Sequence, residues 1–245
     1  MLTQYCLSLK PDATARPSAE WAYRLYAALL SQAPAGFAKT AHADAVTPVS
    51  QFLSVGTSGP PRWTVNLLGN RSEDVLSDVL EGMQELTLER GGRVLIIERC
   101  HRTVSDVDEL FNLAKQGSSL HHLDFLTPTA FKSKGRYLNL PTTRLVLQSL
   151  IHKWNGSITD CPIEDEDGAG LDALAAGIFC ESFRLRDRIY YLKGCAIPGF
   201  TGSLVLENRL EGFHRLLADA LLQFSSFAGV GVKTTLGMGG VERRE

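Results

Sequence analysis

Leu2-Thr-Gln-Tyr-Cys-Leu-Ser-Leu-Lys10 places Tyr5, Leu7 and Leu9 on one face and Gln4, Ser8 and Lys10 on the other. This period of two marks a half-buried β-strand. Downstream, Pro17 and Ser18 offer a helix start and N-cap. Trp21, Leu25, Ala28 and Leu29 then recur at helical spacing until Pro34 and Gly36 stop the run. Val49 to Val55 and Arg62 to Leu68 predict two strands joined across a Gly/Pro turn. Ser72 to Leu88 predicts a helix, and Arg93 to Ile97 a further strand. The resulting order, βαββαβ, is that of the ferredoxin-like unit.

The remainder repeats this plan less regularly. The stretch from Val104 to His122 predicts a helix and a polar turn, which puts the boundary between two domains near residue 123. Leu138 to Trp154 predicts a helix entered at Pro141. Phe183 to Lys193 predicts a strand with Phe183, Leu185, Ile189 and Tyr191 on its apolar face. An amphipathic helix follows, with Leu210, Phe213, Leu217, Ala220, Leu221 and Phe224 as its stripe. The expectation is an α+β protein of tandem ferredoxin-like (RRM-like) domains, residues 1–122 and 123–245, each an antiparallel sheet with helices on one face.

The 245 residues, 44% hydrophobic and 21% charged, are ordinary globular composition and suffice for two such domains. The formal charge of −2 argues against a uniformly basic surface. Six carboxylates, however, lie in one segment from Asp160 to Asp172, read as a solvated loop, so the rest of the chain is net positive. Five scattered cysteines without a C-x-x-C pair argue against a disulfide framework or a structural zinc site, and predict reduced, mostly buried thiols. No targeting segment or membrane-length apolar run is visible, so the expected location is the cytoplasm.

Chemistry concentrates near the C-terminus. Gly229, Gly231, Gly237, Gly239 and Gly240 are five glycines within twelve residues, starting where the last helix stops. Glycines let a backbone turn through positive φ and approach a phosphodiester, with amide N–H groups aimed at its oxygens. Lys233 and Thr234 sit in the same stretch. Val232 occupies the place where a Walker A loop needs glycine, and a Rossmann fingerprint needs a preceding strand that is missing here. Basic residues recur upstream. Lys132, Lys134, Arg136, Arg144 and Lys153 lie in a stretch without carboxylates, while Arg184, Arg186 and Arg188 share one face of a strand. Such surfaces follow a phosphate backbone, with Phe131, Tyr137 or Tyr190 available to stack on bases. Among the six histidines, His42 stands apart in a loop after the first helix, close to Lys39. His152 and His214 fall beside apolar helix stripes and read as packing residues.

Ser225-Ser-Phe-Ala-Gly-Val-Gly-Val-Lys-Thr-Thr-Leu-Gly-Met-Gly239 resembles the C-terminal glycine-rich signature of the CRISPR repeat-RNA processing endoribonucleases, within the repeat-associated RNA-binding superfamily. Phe125-Leu-Thr-Pro-Thr-Ala-Phe-Lys132, Pro141 and the stretch to Trp154-Asn155 resemble the family's middle region. Ile197-Pro-Gly-Phe-Thr-Gly202 resembles the strand before its final helix.

The resemblance implies metal-independent and cofactor-independent cleavage of CRISPR precursor RNA within its repeats. The ribose 2′-OH attacks the adjacent phosphate, leaving a 2′,3′-cyclic phosphate and a 5′-OH. It also implies that His42 is the acid or base and that Tyr26 or Tyr23 supplies an orienting phenol. The family's lysine after the histidine is missing, since Ala43 to Pro61 holds neither Lys nor Arg, so Lys39 or Arg62 must stand in. The alternative reading is a non-catalytic RNA-binding subunit of a CRISPR effector complex. Repeat RNA is the implied partner, with effector subunits and a second copy of the chain as further ones.

Overall fold

Alternation in the opening segment produces β1 (Leu2–Pro11), the central strand of the first of two sheets. The computed structural model describes residues 1–12, 16–34, 48–56, 59–89, 92–104 and 106–244. The first sheet adds β2 (Val49–Ser54), β3 (Arg62–Leu68), β4 (Glu85–Leu88) and β5 (Gly92–Val104), in the order β2-β3-β1-β5-β4, every pair antiparallel. Helices α1 (Trp21–Gln32) and α2 (Asn70–Gly82) cover one face. Trp21, Leu25 and Leu29 of α1 and Leu76 and Leu80 of α2 pack there on Tyr5, Leu7, Leu9, Trp63, Val65 and Leu67.

Two expectations shift locally. The helix expected to run to Leu88 stops at Gly82, because Leu86 and Leu88 alternate and pair with β5 as an added edge strand. Ser18 does not cap α1; Glu20 holds the N-cap position without a side-chain bond.

The second sheet has the order β11-β6-β10-β9, from β6 (Leu120–Thr129), β9 (Ile178–Leu192), β10 (Cys195–Asn208) and β11 (Val241–Arg244). Its helices are α3 (Val107–Gln116), α4 (Thr143–Ser157), α5 (Ala169–Ala176) and α6 (Gly212–Ala228). The connection βαββαβ and the strand order reproduce the ferredoxin-like unit, with α5 and a hairpin of β7 (Phe131–Ser133) and β8 (Arg136–Leu138) inserted. Leu138 therefore ends a strand, and α4 starts at Thr143, capped by the Thr142 hydroxyl. Leu110 and Ala114 of α3 join Trp154, Leu221 and Phe224 in this core.

The acidic segment is partly structural. Asp165 accepts from the Gly170 and Leu171 amides and Asp167 from that of Ala169, which starts α5, and Asp172 lies inside that helix. Cys100, Cys161, Cys180 and Cys195 are exposed rather than buried. No helix among the described residues is long and apolar enough to cross a membrane.

The halves are joined through α6. It begins amphipathic, with Phe213 66% exposed, but from Leu217 almost every residue is buried. Its C-terminus enters the polar face of the first sheet, the face opposite α1 and α2. There Gln4 Nε2 donates to Asn66 Oδ1 and to the Ser226 carbonyl, both at 2.8 Å, and Ser50 Oγ donates to the Phe227 carbonyl at 2.5 Å. Arg102 binds Gln4 Oε1 and Ser226 Oγ and lies 4.5 Å above the Phe227 ring. The polar face of β1 is thus the joint between the two halves. Arg62 of β3 and Glu242 of β11 extend it as an exposed ion pair at 2.5 Å.

From α6 the chain loops into β11, and this return is closely packed. At Gly239 φ is +68°, and a Cβ would overlap the Val230 carbonyl oxygen; at Gly59 φ is +90°, with nothing within 4 Å. We expect Gly239→Ala to cost at least about 3 kcal/mol, through overpacking added to strain. Gly59→Ala should cost about 1 kcal/mol, through strain alone. Urea midpoints of the two variants check the difference.

Candidate functional site

The tail from Gly229 to Gly240 is a closed loop whose base amides are bonded to the protein and whose tip, among the described residues, is held through its carbonyls alone. Gly229, Gly231, Gly237 and Gly239 all have positive φ, as the sequence led us to expect. Most of this glycine usage, however, serves close contact with protein. A Cβ at Gly231 would strike the Ala130 carbonyl, and one at Gly237 the Tyr190 hydroxyl. Along the base, the Val230 amide donates to the Gly239 carbonyl, Val232 to Ala130 and Gly239 to Pro128. The Gly240 amide donates to Thr127 Oγ1.

The tip behaves differently. Lys233 is in the left-handed conformation, φ +59°, and starts a single 3-10 turn, Thr234–Leu236. Among the described residues, the amides of Lys233, Thr234 and Thr235 have no acceptor. Successive unused N–H groups at the start of a turn, beside a lysine, form a concavity suited to an anion.

This tip rests on the first half of the chain. Gln51 of β2 donates to the Thr235 carbonyl at 2.8 Å and to the Ala22 carbonyl of α1 at 3.0 Å, and its own oxygen accepts from Trp63 Nε1. Tyr190 donates to the Leu236 carbonyl at 2.5 Å. The loop therefore packs on α1 and β2, the two elements between which the chain carries His42. His42 and Lys39 themselves lie outside the described residues. Tyr26, one turn along α1 from Ala22, is buried, and its hydroxyl has no partner among the described residues. Burial pushes that phenol up to about 12, so it stays protonated and a donor at neutral pH. Tyr23 is partly exposed, with Lys193 Nζ 4.9 Å above its ring.

The basic residues separate into two groups and two exceptions. Lys132, Lys134 and Arg136 are exposed on the β7–β8 hairpin, with Lys134 in its turn at φ +47°. Arg184, Arg186 and Arg188 are exposed on β9, opposite Ser203, Thr201 and Gly199 of β10, on the sheet face away from the helices. Arg144 is instead ion-paired with Asp172 at 2.6 Å, and Lys153 is buried.

Several expectations about side chains reverse. Tyr190 and Phe131 are core residues and cannot stack on bases; Tyr137 is partly exposed. On β9, the edge strand of its sheet, Phe183, Ile189 and Tyr191 are exposed, while Tyr190 on the other face is buried with Ala130, Ile197 and Met238 beside the glycine loop. His152 and His214 are exposed, not packed. Among the described residues His121 is the buried histidine, 2.7 Å from Asp219.

The elements missed by sequence reasoning are those beneath the loop. Ser149 Oγ accepts from the Gly231 amide at 2.8 Å, and Lys153 Nζ donates to the Gly229 carbonyl at 3.0 Å. The carboxylate-free stretch around Lys153 predicts a surface cation, whereas its side chain is buried. Its only readable signal was its position three residues beyond the buried Leu150, on a helical spacing.

The sequence profile of the CRISPR-associated endoribonuclease Cas6 family matches residues 123–241. A Cas6 endoribonuclease from Streptococcus thermophilus is 28% identical over 231 residues, covering 94% of this chain and 93% of its own. One from Mycobacterium tuberculosis is 27% identical over 247 residues, covering 98% and 77%. The solved Cas6 of Thermus thermophilus superposes with a TM-score of 0.70 at 25% identity, over 100% of this chain and 98% of that one. A Cas6 product complex gives 0.79 at 24% identity, over 100% and 99%. Over nearly its whole length the chain is similar to CRISPR-associated Cas6 endoribonucleases, and its fold is the tandem ferredoxin-like one.

Burial lowers the Lys153 ammonium from 10.5 to about 7. Between those values the unfolded chain holds a proton that the folded chain does not, so this group makes stability rise with pH from about 7 towards 10. Below 7 both states are protonated and its contribution is flat. Lys153→Met is expected to remove that rise, which paired denaturation curves at pH 7 and pH 9 will show.

Proposed function

We propose that this protein cuts CRISPR precursor RNA within its repeats by metal-independent transesterification, and that the loop tip at Lys233 to Thr235 holds a phosphate of that RNA. The observation that carries this reading is the packing of the tip, with its unused amides, on both elements that flank His42. His42 exchanges a proton with the 2′-OH or the leaving 5′-oxygen. The 2′-oxygen bonds to phosphorus as the P–O5′ bond breaks, and the 5′-oxygen gains a proton. Lys39 stabilises the charge that gathers on the non-bridging oxygens, and the Tyr26 phenol donates to it.

The exposed cations at Lys132, Lys134 and Arg136, and at Arg184, Arg186 and Arg188, extend the contact along the RNA backbone. Phosphate pairing at these positions makes affinity fall steeply with salt. Repeat RNA is the substrate on this reading. A cytoplasmic location, effector-complex subunits and a second copy of the chain accompany the same assignment.

Incubation of repeat RNA with the protein in excess chelator is the direct test. The expected products carry 2′,3′-cyclic phosphate and 5′-OH ends, and His42→Ala is expected to lose at least about 100-fold in rate while binding RNA normally. Cleavage abolished by the chelator would refute the metal-free mechanism. Undiminished cleavage by the variant would remove His42 from it, and binding without any cleavage would favour the non-catalytic subunit.

Tyr26→Phe separates a structural from a chemical role for the phenol. Deleting a buried hydroxyl that lacks a partner is expected to leave stability unchanged or higher. The single-turnover rate is expected to fall about tenfold, through loss of one donor to the transition state. An unchanged rate means that the hydroxyl takes no part in the chemistry.

A further inference from the structure

Lys153 is only 8% exposed, and among the described residues its sole acceptor is the Gly229 carbonyl at 3.0 Å and no carboxylate faces it. Burying an ammonium on one neutral oxygen costs stability that a methionine of similar length would not. The location partly compensates, since Gly229 lies just past the C-terminus of α6, where the helix presents its negative end. That explains why a cation is tolerated, not why one is used.

The loop geometry supplies a use. Because a peptide unit is planar and trans, its C=O and N–H point in opposite directions. Lys153 holds the C=O of the Gly229–Val230 unit, and the Gly239 carbonyl holds its N–H at 2.9 Å. Ser149, one helical turn before Lys153 on the same side of α4, holds the N–H of the next unit, Val230–Gly231, at 2.8 Å. The Val232 amide is then fixed on the Ala130 carbonyl. Each unit leading up to the tip is oriented by a bond, and the free amides begin at the next residue.

We propose that Ser149 and Lys153 are positioning residues, which clamp Gly229 and Gly231 so that the amides of Lys233 to Thr235 converge on an RNA phosphate. This rests on the reading of the tip as a phosphate site. Neither side chain touches RNA; both act through the backbone they hold.

The test is filter binding of a repeat RNA with a 2′-deoxy scissile nucleotide, over a range of salt, with thermal stability measured in parallel. Lys153→Met relieves a buried ammonium but leaves the Gly229 carbonyl without its donor, so stability close to wild type is expected, together with RNA binding about tenfold weaker and a salt slope reduced by roughly 0.7 to 0.9 for each lost phosphate contact. Ser149→Ala is expected to change affinity and slope in the same way, and Ser149→Thr, which keeps the hydroxyl, to restore both. Single-turnover cleavage at saturating RNA is expected to stay within about twofold of wild type. Lys233→Ala is the reference. If it leaves affinity and slope unchanged, the phosphate-site reading itself fails. If it lowers both while folded Ser149→Ala and Lys153→Met keep wild-type values, the clamp is refuted. Loss of affinity in step with loss of stability, at an unchanged slope, would also overturn it, by reducing the pair to a structural role. Should Lys153→Met not fold, the Ser149 pair decides alone.

Discussion

The C-terminus of α6 has to end inside the protein, and its last carbonyls need donors there. Carbonyls at a helix end have no partner within the helix. Here they receive Gln4, Ser50 and Lys153, from β1, β2 and α4. A buried carbonyl without a donor would cost about 1 to 3 kcal/mol, so the polar face of the first sheet and the end of the last helix are obligatory partners. Asn66 and Arg102 complete the network by fixing Gln4 and Ser50. The relative placement of the two sheets follows from this one junction.

The same junction explains the glycine-rich loop. Once α6 ends against the first sheet, the chain has little room to turn back into β11, between Ala130, Val230, Tyr190 and Phe52. Glycine is required there because a Cβ would collide with those groups. The usual reading of a glycine-rich loop, freedom for a ligand to approach, applies only to the short tip from Lys233 to Thr235. On the proposed reading, binding and packing share one segment. The glycines make the base thin and rigid, and the rigidity lets three unused amides be presented as a fixed group. Rigid presentation matters because flexible donors would have to be ordered at the moment of binding.

Legibility in the sequence followed local periodicity. β1, β2, β3 and α1 were readable because one face of each is apolar at the period of its own element. The break between α2 and β4 was not, since Leu80, Met83, Leu86 and Leu88 satisfy a helical spacing about as well as a short strand. The β9 face misled for another reason: Phe183, Ile189 and Tyr191 alternate properly, yet they lie on the edge strand of the sheet and are left exposed. At the site, Lys233 and the glycines announced themselves by composition. Ser149 and Lys153 did not, because a lysine three residues after Leu150 looks the same whether its helix face meets solvent or a carbonyl far along the chain.

The sequence by itself determined the two βαββαβ units, the family signature from Ser225 to Gly239 and the candidate residues at His42, Tyr26 and Lys233, because periodicity, glycine spacing and residue chemistry are properties of short segments. Only the tertiary structure decided which polar residues are interior. Gln4, Asn66, Gln51 and Lys153 are buried by segments up to 222 positions away. The physical reason is that a polar group's environment depends on which distant carbonyl or amide needs a partner, and that pairing exists only after the two halves have come together.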